Sequence, residues 1–193
     1  QQSLSMAKDL STATKTVTDA VTIYANENES VSSMLNKAQP TVLLSAASGM
    51  SSSSSADAIQ GILNQFNLSE DQAMHVADTV EKLSSEIALD FSKGCDTISQ
   101  SIATSGSVVN EAGMSFEKYA ALVSTTAEKT RVSGSQIGNA FKTIFSRISR
   151  SKDGLTTDAE MSDAEAALKS VGVSVRGADG DLRDISDTLD DLN

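Results

Sequence analysis

The sequence predicts an all-α fold: a multi-helix bundle of repeated helical hairpins, with a small C-terminal lobe holding one short β-hairpin. Three observations carry this expectation. Only one proline occurs in 193 residues, so little in the chain forbids a helix. Apolar residues recur at spacings of three and four rather than two. Caps and glycines interrupt that pattern every 15 to 20 residues, which calls for several helices with tight joints rather than one rod. Tryptophan is absent and aromatics make up 4%, so burial must come mainly from Ala, Val, Ile, Leu and Met. Each large aliphatic side chain buried contributes about 1.5–3 kcal/mol, and alanine lets helices approach closely.

The first helix is expected from about Ser3 to Tyr24, with Met6, Leu10, Ala13, Val17, Val21 and Tyr24 on one stripe. Asn26 to Asn28 break it. After a weak segment at Val31 to Leu35, Pro40 reads as a helix start, where its missing N–H is no loss; that helix carries Val42, Leu43, Leu44, Ala46 and Ala47. The serine run Ser51 to Ser55 reads as a turn feeding a helix from Ala56 to Phe66, with Ile59, Ile62, Leu63 and Phe66 inward. Ser69-Glu-Asp-Gln72 is a capping box, in which serine and glutamine satisfy each other's orphan N–H groups. It opens a helix bearing Ala73, Val76, Ala77, Val80 and Leu83. The next helix is placed at Gly94 to Ala112, using Ile98, Ile102 and Val109. Ser115 starts another, with Phe116, Ala120, Val123 and Ala127 on its stripe. A second box, Ser133-Gly-Ser-Gln136, opens the helix with the cleanest stripe: Ile137, Phe141, Ile144, Phe145 and Ile148. Gly138 costs that helix about 1 kcal/mol relative to alanine, so a close helix crossing is expected there.

Past Lys152 the character changes. Thr157-Asp-Ala-Glu160 caps a short helix through Met161, Ala164, Leu168 and Val171, stopped by Gly172. Val173 to Val175 and Leu182 to Asp184 flank Asp179-Gly180, an Asp-Gly hairpin signal, and a last helix starts near Ser186.

Shifting the chain by 64 positions matches its middle to itself. Gly49-Met50-Ser51 falls on Gly113-Met114-Ser115, Ala56 on Ala120, Ile59 on Val123, Leu68-Ser69 on Val132-Ser133, Gln72 on Gln136 and Val80 on Ile144. The expected organisation is an N-terminal helical segment at 1–48, a duplicated helical-hairpin core at 49–151, and an acidic lobe at 152–193. Such a repeat is a packing unit, and nothing in it is chemical.

Net charge is −11, which argues against stable sequence-specific nucleic-acid binding, since neutralising phosphates takes clustered Lys and Arg. Lys152 to Asn193 alone hold 11 acids against 4 bases, a net −7. Lys142, Arg147, Arg150 and Lys152 form the one basic cluster. It reads as a solvated face near a helix C-terminus, with a partner or nucleic-acid contact as the sharper alternative. No apolar run approaches the 18 residues of a membrane span, and there is no secretory leader pattern. The chain opens with Gln1, which suggests a piece of something longer.

No catalytic constellation, metal site or cofactor site is expected. His75 is the only histidine and Cys95 the only cysteine; together they fall short of the three or four ligands of a zinc site. Cys95 reads as a small, partly buried hydrophobe. Asp179, Asp181 and Asp184 invite a calcium reading, but Arg183 and Asp184 stand where an EF-hand loop needs an acid and a glycine. Neither Gly134 nor Gly138 belongs to a phosphate-binding loop.

The stretch Gly113 through Arg150, GMSFEKYAALVSTTAEKTRVSGSQIGNAFKTIFSRISR, resembles the core domain of phage tail tape measure proteins. The match falls on Gly113, Ser115, Gly134, Ile137, Gly138, Ala140, Lys142 and Arg147, with Phe141 and Ile144 on the same helix. Phe66-Asn-Leu68 followed by Ala77-Asp78 is similar to that family's upstream element. Leu168 through Leu192, with Gly172-Val, Asp179-Gly and Arg183-Asp184, is similar to its downstream one. The resemblance covers roughly Gln60 to Leu192. It implies a long helical parent protein that sets tail length during assembly in the host cytoplasm and leaves the tube ahead of the DNA. The partners it implies are other copies of itself and tail tube, tail tip and tail-assembly chaperone proteins, and the location it implies is the virion tail. The exposed edge of the Phe141 to Ile148 stripe is then expected to face another copy or a tail subunit. A chemoreceptor-type coiled-coil stalk is the competing class; it needs sustained heptads, which the caps and glycines break. A secreted pore-former would need a long apolar hairpin.

Overall fold

Serine and aspartate set where the helices begin. The computed structural model describes residues 14–25, 30–87 and 90–152. Among them are α1 (Thr14–Ala25), α2 (Val31–Ser48), α3 (Ser52–Gln65), α4 (Ala73–Glu86), α5 (Phe91–Glu111), α6 (Phe116–Thr130) and α7 (Gly134–Lys152), with a 3-10 turn at Glu70–Gln72. The all-α expectation therefore holds, and the described residues contain no strand. Ser30, Ser51, Asp90 and Ser115 each accept a hydrogen bond from the N–H three residues on, at 3.2, 3.0, 3.4 and 3.4 Å. Each such cap contributes about 1 kcal/mol by satisfying an orphan donor. The capping box at Ser133 is reciprocal: Gln136 Oε1 accepts from Ser133 N–H at 3.2 Å, and Ser133 Oγ accepts from Gln136 N–H at 3.4 Å.

Three expectations about helix boundaries are corrected. Pro40 lies inside α2 rather than at its start, and the weak segment before it belongs to the same helix. A proline there costs about 3 kcal/mol. Pro40 is buried beside Lys37, Ala38, Thr41 and Val42, and this packing holds the helix through the break. Of the apolar residues that helix carries, Ala46 and Ala47 are exposed. Ser52 to Ser55 form the first turn of α3 instead of a loop, because Ser51 supplies the cap. Gly94 lies within α5, whose cap is Asp90. A Cβ on Gly94 would sit 3.0 Å from Ser84 Cβ, so this glycine serves the α4–α5 approach. The proposed helix from Ser3 up to Ala13, the Asn26 to Asn28 break and everything past Lys152 lie outside the described residues. That includes the Thr157 to Val171 helix, the Asp179-Gly180 hairpin, the helix near Ser186 and the three aspartates of the calcium reading.

The 64-residue match is visible in the backbone. Four residues in the described chain have positive φ: Gly49 at 72° and Gly113 at 94°, and Asn67 at 52° and Arg131 at 59°. Each pair is 64 residues apart. The glycines end α2 and α5, and the other two residues end α3 and α6. Left-handed backbone is unfavourable for most residues, so its recurrence at both corners marks the same turn used twice. The packing follows the same plan. α2 packs on α1, α3 and α4, and α5 packs on α4, α6 and α7; α3 meets α1 as α6 meets α4.

One large apolar core runs from α2 to α7 and includes Ile59, Ile62, Val76, Val80, Cys95, Ile98, Ile102, Phe116, Tyr119, Val123, Ile137 and Phe145. A smaller one joins Val17, Ala20 and Tyr24 of α1 to Ala38, Val42 and Ala56. No helix among the described residues is long and apolar enough to cross a membrane.

Candidate functional site

The residues singled out from the sequence converge on α7, and the structure divides them between two of its faces. Gly134 and Gly138 lie one turn apart and press against α5. A Cβ on Gly134 would fall 2.2 Å from Thr97 O, and one on Gly138 2.7 Å from Thr104 Cβ and 2.8 Å from Ser101 O. The close crossing expected at Gly138 is present, and Gly134 takes part in it. Gly113 sits at the corner before α6, where its φ of 94° suits glycine, and Ser115 caps α6.

Ile137 and Phe145 point inward and are buried, while Phe141 is partly buried against the same core. Tyr119, Phe141 and Phe145 form an edge-to-face cluster with centroids 5.6 to 6.3 Å apart. Such pairs stabilise by about 0.5–1.5 kcal/mol beyond their area. The buried Tyr119 hydroxyl bonds to Ser101 Oγ at 3.1 Å and to Ser105 Oγ. Burial raises the Tyr119 pKa above its ordinary value, with the two serines partly opposing.

The outer flank differs from the sequence reading. Ile144, expected in the inward stripe, is 48% exposed, and Ala140, Lys142 and Arg147 are exposed too. Ala140, Ile144 and Arg147 follow one another at spacings of four and three, so they share one edge of the helix. Periodicity could not separate Ile144 from Phe145, because adjacent residues both fall within a broad apolar stripe. The side chains of Ile148, Arg150 and Lys152 lie outside the described residues, so of the basic cluster only Lys142 and Arg147 are placed.

Two features carried no sequence signal. Lys37 is buried: its Nζ donates to Gln60 Oε1 at 2.8 Å and lies 4.7 Å from the Tyr24 ring centroid. Tyr24 in turn shares a hydrogen bond with Thr41 at 2.7 Å. His75, read as a surface residue, is half-exposed and pairs with Glu117 at 2.7 Å, tying α4 to α6. Partial burial pushes the Glu117 carboxyl up, but hydrogen bonds from His75, from its own backbone and from Ser115 prevail and hold it below its ordinary value. Cys95 is fully buried rather than partly so, and burial raises its thiol pKa, with Ser84 partly offsetting. A polar cleft of about 590 Å³ between α2, α3 and the 3-10 turn is lined by Asn36, Gln60, Asn64, Glu70 and Asp71, among others. Among the described residues no group of His, Cys, Asp and Glu is placed to hold a metal.

The arrangement is one of packing faces and an exposed helix flank. Comparison with known proteins agrees with that character. The chain matches the family model described as phage-related minor tail protein over residues 1–193. It is 26% identical over 152 residues to the probable tape measure protein of Escherichia phage P2, covering 79% of this chain and 17% of that protein. It is 27% identical over 146 residues to the tape measure protein of Pneumococcus phage Dp-1, covering 75% of this chain and 12% of that one. The chain thus spans less than a fifth of the length of these two relatives. No solved structure matches it. With the family model matching every residue, the chain belongs to the phage-related minor tail protein family.

Proposed function

We propose that this chain is a section of a tail tape measure protein, a structural component of the virion tail that sets tail length during assembly and assists genome delivery. The observation that carries this reading is the family match along the whole chain, joined by two relatives named as tape measure proteins. The helical architecture fits it: the conspicuous side chains are spent on helix crossings, caps and an aromatic core. No enzymatic role is assigned. The partners are other copies of the parent protein and tail tube, tail tip and tail-assembly chaperone proteins, met in the host cytoplasm during assembly. The basic cluster Lys142, Arg147, Arg150 and Lys152, of which Lys142 and Arg147 are placed and exposed, offers positive charge for such contacts. The 64-residue correspondence is read as a duplication, which would give the parent a modular core. A chemoreceptor-type stalk is disfavoured, because the helices fold back on one another at tight corners instead of running on as heptads.

The test is an in-frame deletion of the block encoding residues 31–152 in a phage whose tail protein carries it. Electron microscopy should show tails missing or of altered length. Particles with unchanged tails and unchanged infectivity would reject a tail-building role for this section.

A further inference from the structure

The corner that opens α4 has a counterpart 64 residues later at the start of α7, and the two are packed differently. At the later corner Gly134 and Gly138 let α7 close on α5, where a Cβ on either would overlap the backbone of Thr97 or Ser101. At the earlier corner the equivalent residues are Glu70 and Met74, and side chains of that size forbid so close an approach to α2. Beside them lies the cleft of about 590 Å³ between α2, α3 and the 3-10 turn, within the range of about 300–1,000 Å³ usual for ligand pockets. Leu63 and Leu68 give it apolar surface, α3 adds the amides of Gln60 and Asn64, and the turn adds the carboxylates of Glu70 and Asp71.

A buried charge orders the amides on α3. The ammonium of Lys37, fully buried behind the cleft, can only donate, and it donates to Gln60 Oε1 at 2.8 Å. Gln60 is thereby turned with its Nε2 toward Asn64, whose Oδ1 accepts from it at 3.1 Å. The Asn64 amide is fixed in turn, with its oxygen toward Gln60 and its N–H donors left for the cleft it lines. The turn offers acceptors instead. Glu70 and Asp71 are exposed, and among the described residues neither has a cation within ion-pair distance. The described residues that line the cleft include no base. We propose that this cleft takes a protein segment bearing an arginine. The guanidinium bridges Glu70 and Asp71, Asn64 donates to a peptide carbonyl of the segment, and Leu63 and Leu68 receive an apolar neighbour of the arginine. Hydrogen bonds from a guanidinium to a carboxylate are about twice as strong as neutral ones, and the planar fork can serve two carboxylates at once. A phosphate-bearing partner would be repelled by the same pair.

The experiment titrates the full 193-residue chain with the capped dipeptide acetyl-Leu-Arg-amide, and separately with acetyl-Leu-citrulline-amide, in which a neutral urea replaces the guanidinium. Amide NMR signals of Glu70, Asp71 and Asn64, the Asn64 side chain included, report on the cleft. Saturable shifts at these positions are expected with the arginine peptide, and binding weaker by roughly tenfold or more with the citrulline peptide. The isosteric double variant Glu70→Gln/Asp71→Asn should bring the arginine peptide down to the citrulline level. Asn64→Ala, at an exposed position, should weaken the arginine peptide by roughly two- to tenfold. Equal binding of the two peptides, shifts that persist in the double variant, or an Asn64→Ala affinity equal to wild type would each overturn the proposal. So would the absence of any saturable shift. None of these outcomes depends on the role of the parent protein in the tail.

Discussion

Gly134→Ala tests the crossing of α5 and α7. The added Cβ would lie 2.2 Å from Thr97 O and 2.9 Å from both Thr97 C and Cα. All three are backbone atoms, so no rotamer change relieves the overlap and the helices must separate by roughly 1 Å to reach ordinary contact. Overpacking of this kind costs about 1–3 kcal/mol. Alanine recovers at most about 1 kcal/mol of helix propensity, and less at the first residue of a helix. The net is a loss of about 1–2 kcal/mol, or a fall in melting temperature of roughly 2–8 °C for a chain of this size. Gly61→Ala is the matched control. Gly61 sits inside α3 with nothing within 4 Å of its would-be Cβ, so the same substitution should stabilise by about 0.5–1 kcal/mol. The assay is urea unfolding followed by circular dichroism, comparing midpoints at unchanged slope. A Gly134→Ala midpoint at or above wild type would refute the crossing, whatever Gly61→Ala does.

Tyr119→Phe removes a buried hydroxyl and leaves Ser101 and Ser105 short of a partner; a loss of about 1–2 kcal/mol is expected in the same unfolding assay. Cys95 should resist a chromogenic thiol reagent in the folded chain and react promptly in denaturant, because it is fully buried with a raised pKa. The folded Glu117 pKa is lowered, so its contribution is complete above the unfolded value of about 4.3 and is lost as pH falls through the folded value. Both partners are about half exposed, which limits the effect to a few tenths of a kcal/mol. Unfolding midpoints of wild type and Glu117→Gln, compared from pH 6 down to about pH 3, should converge at the acid end. Ser133→Ala breaks the reciprocal box that starts α7 and should cost about 1 kcal/mol.

The helices were legible wherever the signal is local. Ser115, and the Ser69 and Ser133 boxes, act on N–H groups two or three residues away, so the residues themselves announce the start of a helix. The stripes of α4, α5 and α6 obey a 3.6-residue period that any buried helix face must show. Part of the 64-residue correspondence is local in the same way: Gly49 and Gly113 answer the same backbone demand, a positive φ after a helix. At the corners after α3 and α6, Asn67 and Arg131 take the same left-handed conformation with side chains that share no pattern, so only coordinates reveal that correspondence.

Other features belong to partners distant in sequence. Pro40 stays helical because its face is buried, a fact no neighbouring residue encodes. Lys37 is buried because Gln60, 23 residues on, and the Tyr24 ring receive its ammonium. Gly94 and Gly134 read locally as a helix start and a cap residue. What they meet, Ser84 and Thr97, depends on which helices cross. Ile144 is the sharpest case: its spacing places it in an apolar stripe, yet it is exposed, because exposure depends on what the fold packs beside it. Periodicity and capping are settled within a few residues of chain, whereas burial depends on what the rest of the molecule brings alongside.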